Sequence, residues 1–177
     1  MRTLTRRYQG GWGMIEIIGV LGILAAAAVL LSQQIDNAES KVEPQAFAGS
    51  LYAWVSVVRD GAPSDLRGVD LDAALLQAPP EWIVSRTPKI AVRHPFGGAV
   101  TLTTANWRGV SNRALQYSLT TLPREACAAA AQAVSSRATT LSVGRTALKT
   151  QPSDGVTRLA AMNACNAASN TLTWTEL

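Results

Sequence analysis

From Gly13 to Leu31 the chain is apolar for 19 residues, and Glu16 is the only charge among them. At a helical rise of about 1.5 Å per residue that run covers roughly 28 Å, close to the hydrocarbon thickness of a bilayer. Beyond it the pattern changes. Ile35, Ala38 and Val42 recur at spacings of three and four, and Phe47, Leu51, Trp54, Val55 and Val58 continue the stripe. Gln33, Asp36, Glu39, Lys41, Glu43 and Arg59 occupy the other face. This is the helical period, so residues 12–60 read as one long element, apolar all round at first and amphipathic afterwards. Pro44 is expected to kink or break it, and Asp60-Gly61-Ala62-Pro63 ends it.

The rest of the chain changes period. Residues 63–88 read as a connection, with Asp70 capping a short helix through Gln77 and Pro79-Pro80 stopping it. Residues 89–120 read as strands. Ile90 and Val92, then Val100 and Leu102, then Leu115, Tyr117 and Leu119 alternate with polar neighbours. The turn-rich His94–Gly98 and a loop from Ala105 to Asn112 separate them. Alternation with threonine outward predicts an antiparallel sheet with one face on the core, against the helix stripe. Pro123 fits the first turn of a helix from Arg124 to about Ser136. Leu141, Val143 and Leu148 suggest another strand, Gln151 to Gly155 a loop, and Ala160 to Ala168 a short helix. Leu172 and Trp174 alternate with Thr171, Thr173 and Thr175 in a terminal strand. The fold class is therefore α+β, in one modest domain following the apolar span.

Charge orients the span. Arg2, Arg6 and Arg7 precede it, and no basic residue follows before Lys41. The excess places the N-terminus in the cytoplasm and the remainder outside. The formal net charge of +4 is mostly a property of residues 1–11, which hold three arginines and no acid. An asymmetry remains without them. Residues 12–80 hold eight acids and three bases, and residues 81–177 hold four acids and ten bases. Opposite fields favour head-to-tail contact, the kind that builds open filaments; an unevenly charged solvated surface is the plainer reading. Cys127 and Cys165 fall in the part expected outside, where an even pair reads as one disulfide.

Glu16 is the anomaly. An ionised carboxylate within a membrane helix costs on the order of 2.5–3.5 kcal/mol and usually has a partner. It is the fifth residue counted from Trp12, which follows Gly10-Gly11. A basic leader, a glycine and a glutamate at the fifth position of an apolar helix resemble the type IV prepilin signature. The run Gly11-Trp12-Gly13-Met14-Ile15-Glu16-Ile17 is most similar to the type IVb pilins of thin conjugative pili, the PilS-like major subunits. Pro95-Phe96-Gly97-Gly98-Ala99-Val100-Thr101-Leu102 resembles a segment common in the same group. So does the order of Cys127, Cys165 and a threonine-rich last strand.

The resemblance implies a type IV pilin fold, a long N-terminal helix packed on an antiparallel sheet. It implies a leader of residues 1–11, a helix of residues 12–60 whose part 12–31 lies in the membrane or the filament core, and a globular head of residues 61–177. It also implies cleavage between Gly11 and Trp12 by a prepilin peptidase, and a role for Glu16 in assembly through the new amino group of a neighbouring subunit. A Cys127–Cys165 bond would delimit an exposed region. The precursor would sit in the bacterial inner membrane with its head in the periplasm. Pilus assembly machinery there would build it into an extracellular homo-oligomeric filament for cell contact, adhesion or conjugative mating. A minor tip pilin or a secretion-system pseudopilin is the alternative. From the residues alone, a conventional signal peptide cut near Ala25–Ala28 and a plain single-pass anchor stay open. The span is long for a signal, in which Glu16 would have no purpose; a plain anchor would tolerate Glu16 near the interface.

Chemistry for an enzyme is not expected. His94 is the only histidine, before a proline in a turn-rich loop, and reads as solvated or structural. Asp70 and Asp72 lack the rest of an EF-hand loop, and no glycine loop for phosphate lies between a strand and a helix. No cofactor and no metal are expected. Arg86, Lys89, Arg93, Arg108 and Arg113 form no aromatic-interleaved basic run, so nucleic acid is not expected as a partner.

Overall fold

The computed structural model of the chain describes residues 44–63 and 65–177. Helix α1 occupies residues 44–61, and the expected stripe is its buried face: Phe47, Leu51, Trp54, Val55 and Val58. The kink expected at Pro44 lies at the edge of the described residues, and the apolar span, Gly11, Trp12 and Glu16 lie outside them.

Asp70 caps α2 (Leu71–Leu75) as the sequence suggests, its Oδ1 accepting from Ala73 N at 3.0 Å. The helix ends at Leu75 rather than Gln77. A carboxylate at this position satisfies an amide that the helix leaves unpaired and meets the positive end of its dipole. Asp70→Ala should therefore lower stability by about 1 kcal/mol. Urea unfolding would check this, and an unchanged midpoint would show that the cap contributes nothing. A side-chain bond, Trp54 Nε1 to Ala74 O at 3.3 Å, fastens α2 to α1.

The seven strands form one antiparallel sheet in the order β1-β2-β3-β4-β7-β5-β6. They are β1 Ile83–Ser85, β2 Ala91–Arg93, β3 Ala99–Trp107, β4 Val110–Leu122, β5 Thr140–Val143, β6 Thr146–Lys149 and β7 Asn170–Glu176. β1 and the 3-10 turn before it (Pro80–Trp82) fall in the stretch read as a plain connection. Three residues, one of them an exposed valine, carry too little alternation to be seen.

The loop expected from Ala105 to Asn112 is a correction. β3 and β4 continue through it and meet in a two-residue turn, with Trp107 opposite Val110. Arg108 (φ 49°) and Gly109 (φ 81°) are both left-handed, as the turn that matches strand twist requires. An irregular register between Ala105 and Trp107 breaks the alternation, which hides the strand from a period count.

Helix α3 spans Arg124–Ser135 with Pro123 as its N-cap rather than inside the first turn, and α4 spans Arg158–Ala164 with Cys165 at its C-cap. The segment read as one strand around Leu141–Leu148 is the β5–β6 hairpin, turning at Gly144 (φ 55°).

The core is one cluster between α1 and the inner sheet face. Trp54 stands edge-on to Tyr117 at 5.7 Å, and Tyr117 stacks on Trp174 at 4.8 Å. Phe47 touches Trp82, His94 and Phe96 at 5.2–5.6 Å between ring centres. These rings pack together with the aliphatic side chains of the same cluster to hold the helix to the sheet.

Candidate functional site

The site is the region closed by the disulfide, together with the sheet faces on either side of β7. Cys127 lies in the first turn of α3, where its amide bonds Pro123 O at 2.9 Å. Cys165 ends α4, its amide bonded to Ala161 O at 2.9 Å. Both are fully buried and joined, with Cα atoms 5.9 Å apart. The alanines of α3 explain how the two helices come this close. Ala126, Ala128, Ala130 and Ala131 present no bulk, and α3 is buried through its whole middle. The loop from Gln151 to Gly155 is fixed by Asp154. One of its carboxylate oxygens accepts from the Thr150 amide (2.9 Å), the Thr150 hydroxyl (3.0 Å) and the Gln151 amide (2.9 Å). Those donors hold the Asp154 carboxyl below the usual range.

The outer face of the sheet is lined with hydroxyls. Thr101, Ser118, Thr173 and Ser142 stand in register across four strands. Thr103, Gln116, Thr175 and Thr140 form the next rank, with the Thr140 and Thr175 hydroxyls 2.7 Å apart. This threonine-outward arrangement is the one the alternation predicts.

The inner face holds two polar groups that sequence reasoning treated lightly or missed. His94 is 2% exposed, so the structural reading of it holds and the solvated one does not. Its Nε2 donates to Thr120 O at 2.7 Å. That carbonyl is free because the β4–β7 register shifts between Leu119 and Leu122, where Thr121 is left-handed (φ 60°). A side chain at Gly98 would run into both the Thr120 carbonyl and the imidazole, so only glycine fits there. Burial lowers the His94 pKa, and the bond to Thr120 partly opposes this.

Glu176 is the residue that was missed. It is 2% exposed, opposite Leu115, and neither carboxylate oxygen has a hydrogen-bond partner among the described residues. The signal was present. The inward alternation of Leu172 and Trp174, extended by one step, points Glu176 into the core. Burial pushes its pKa up to about 7, while the charges of Arg137 and Arg59 pull the other way. Arg137 also pairs with Asp60 of α1 at 3.7 Å and lies 5.5 Å over the Tyr52 ring. The same burial, with Glu176 nearby, raises the Tyr117 phenol pKa.

Among the described residues no three His, Cys, Asp or Glu side chains converge to hold a metal, and none of their helices is long and apolar enough to cross a membrane. The arrangement combines a covalent tie with a broad polar sheet face.

The comparisons agree with that picture. A family model described as PilS N terminal matches residues 79–177, more than half of the chain. The chain belongs to the type IVb pilin family. A type IVb pilin from Salmonella typhi, known from its crystal structure, shares the fold of this pilin with a TM-score of 0.52 at 14% identity. The alignment covers 75% of this chain and 96% of that one. No curated protein matches. The pilin fold is that of a structural protein, and here it has its long helix segment, antiparallel sheet and C-terminal disulfide.

Proposed function

We propose that this pilin is the structural subunit of a type IVb pilus, and that it forms most of a surface filament used for cell contact, adhesion or conjugative mating. The family match over residues 79–177 carries the reading. In this proposal residues 1–11 are removed by a prepilin peptidase between Gly11 and Trp12 at the inner membrane. The apolar run from Trp12 to Leu31 then leaves the membrane for the filament core. There Glu16 meets the new amino group of Trp12 on a neighbouring subunit. The pair removes the cost of an isolated charge in an apolar core and sets the register between subunits. The unit from α1 to β7, closed by Cys127–Cys165, becomes the outer surface.

The N-terminal sequence and mass of protein sheared from the cell surface test this directly. The expected result is a chain that starts at Trp12 and dominates an ordered fibre. The same start at trace abundance would make it a minor tip pilin or a pseudopilin instead. A start near Ala25–Ala28 or later would remove both Glu16 and the core helix, and the filament reading would fall.

A further inference from the structure

The hairpin of β3 and β4 projects beyond the rest of its sheet. β2 pairs with β3 only at Ala99 and Val100, and β7 pairs with β4 no further than Leu115. Between those limits and the turn, both outer edges of the ribbon are unpaired among the described residues. Internal bonds stiffen it: the Thr104 hydroxyl donates to Asn112 Oδ1 at 2.8 Å, and the Asn112 amide to Asn106 Oδ1 at 3.3 Å. At the tip, Val110 is 53% exposed, and the Arg108 guanidinium lies 5.7 Å over the Trp107 ring. A two-stranded ribbon with an apolar tip and open edges is marginal by itself and prone to pairing.

A complementary feature lies on α1. A groove of about 320 Å³ runs between Ser50, Ala53, Trp54 and Val57 on the helix and Gln77–Pro80 beside it. Val57 is 55% exposed, and Leu76, next to Gln77, is also exposed. The groove is mostly apolar and open to solvent.

Charge distinguishes the two features. Residues 99–122 carry Arg108 and Arg113 and no acid, whereas residues 60–81 carry five acids and one base. Several of these charges are already engaged within the chain. Asp60 pairs with Arg137, Asp65 with Arg67, and Asp70 caps α2. Asp72 and Glu81, which flank the groove in sequence, make no ion pair among the described residues, and neither does Arg108.

Resting on the filament reading above, we propose that the Trp107–Val110 tip of one subunit docks into the groove between helix α1 and the Gln77–Pro80 segment of a second copy of this chain. Trp107 and Val110 enter the groove, and Arg108 faces Glu81 and Asp72. The contact is heterologous, since the tip and the groove are different surfaces, and repetition of it extends a filament instead of closing a dimer.

Co-expression of full-length Val110→Cys and Gln77→Cys subunits, followed by mild oxidation of sheared filaments, tests it. Both positions are exposed, so the fold tolerates the changes. The expected result is a covalent mixed dimer absent from filaments of either variant alone. A second pair reads the charge. Arg108→Glu should lower filament yield about tenfold, and Glu81→Arg in the same chain should restore most of it, since like charges across an interface select against it. Wild-type-like filaments without the mixed dimer overturn the contact and leave the pilus reading intact. So does a Gln77→Cys homodimer, which would put groove against groove, and so does a charge reversal without rescue. Wild-type cells with no filaments of this chain overturn both.

Discussion

Replacing Cys127 and Cys165 together with alanine lowers the stability of this pilin by about 4 kcal/mol, the chain-entropy value for a loop closed over this separation. Two features make the loss come through in full. The bond joins the first turn of α3 to the end of α4, so without it the β5–β6 hairpin and α4 hang on noncovalent contacts alone. Both cysteines are also completely buried among alanines, so the variant leaves two small cavities but no unsatisfied polar group. Serine would be the worse probe, because its hydroxyl would be stranded there. Urea unfolding of the purified subunit, followed by tryptophan fluorescence, is the measurement. Wild type with reductant should fall to the level of the variant. A loss under about 1 kcal/mol would mean that the unfolded chain is already restrained without the bond.

Glu176→Gln makes the pilin more stable above neutral pH and removes a pH slope. The buried carboxyl has a pKa of about 7 in the folded chain, against 4.5 ordinarily. Between those values the folded state keeps a proton that the unfolded state has lost. Stability from this group is therefore full below about pH 4.5, declines as pH rises, and is gone above about pH 7. The change is at most about 3 kcal/mol. Other groups face the same junction: Arg59 and Asp60 from α1, Arg137 after α3, and Tyr117 from β4. The arginines limit the rise. His94 works in the opposite direction. Its lowered pKa makes its contribution grow with pH up to 6.5, but it is common to both proteins. The difference between wild type and Glu176→Gln thus isolates the carboxyl. It should widen from pH 5 to pH 8 in favour of glutamine. A difference that stays constant would mean that Glu176 ionises in the folded chain as it does in water.

Much of the fold is legible because periodicity is a local property. The stripe Phe47, Leu51, Trp54, Val55 and Val58 is readable at helical spacing, and all five residues are buried. Leu172 and Trp174 mark β7, Asp70 marks a cap, and the alanine run after Pro123 marks α3. Each signal lies within a few residues of what it determines. The misses have physical reasons too. β1 is too short to alternate. The hairpin turn uses Arg108 where asparagine or aspartate would have announced it. β6 is an edge strand whose last residue, Lys149, is buried because its ammonium reaches Ser135 O at 2.9 Å.

Spacing and composition along the chain specify an apolar span with one carboxylate, an amphipathic helix, an antiparallel sheet with threonine outward, and one cysteine pair. Packing in three dimensions sets the rest: the last strand enters the middle of the sheet, between β4 and β5. Glu176 is thereby buried near Arg59 and Arg137, and His94 finds the carbonyl released at Thr120. Such pairings join residues 26 to more than 100 positions apart. No periodicity encodes them, because they arise where independently specified elements pack.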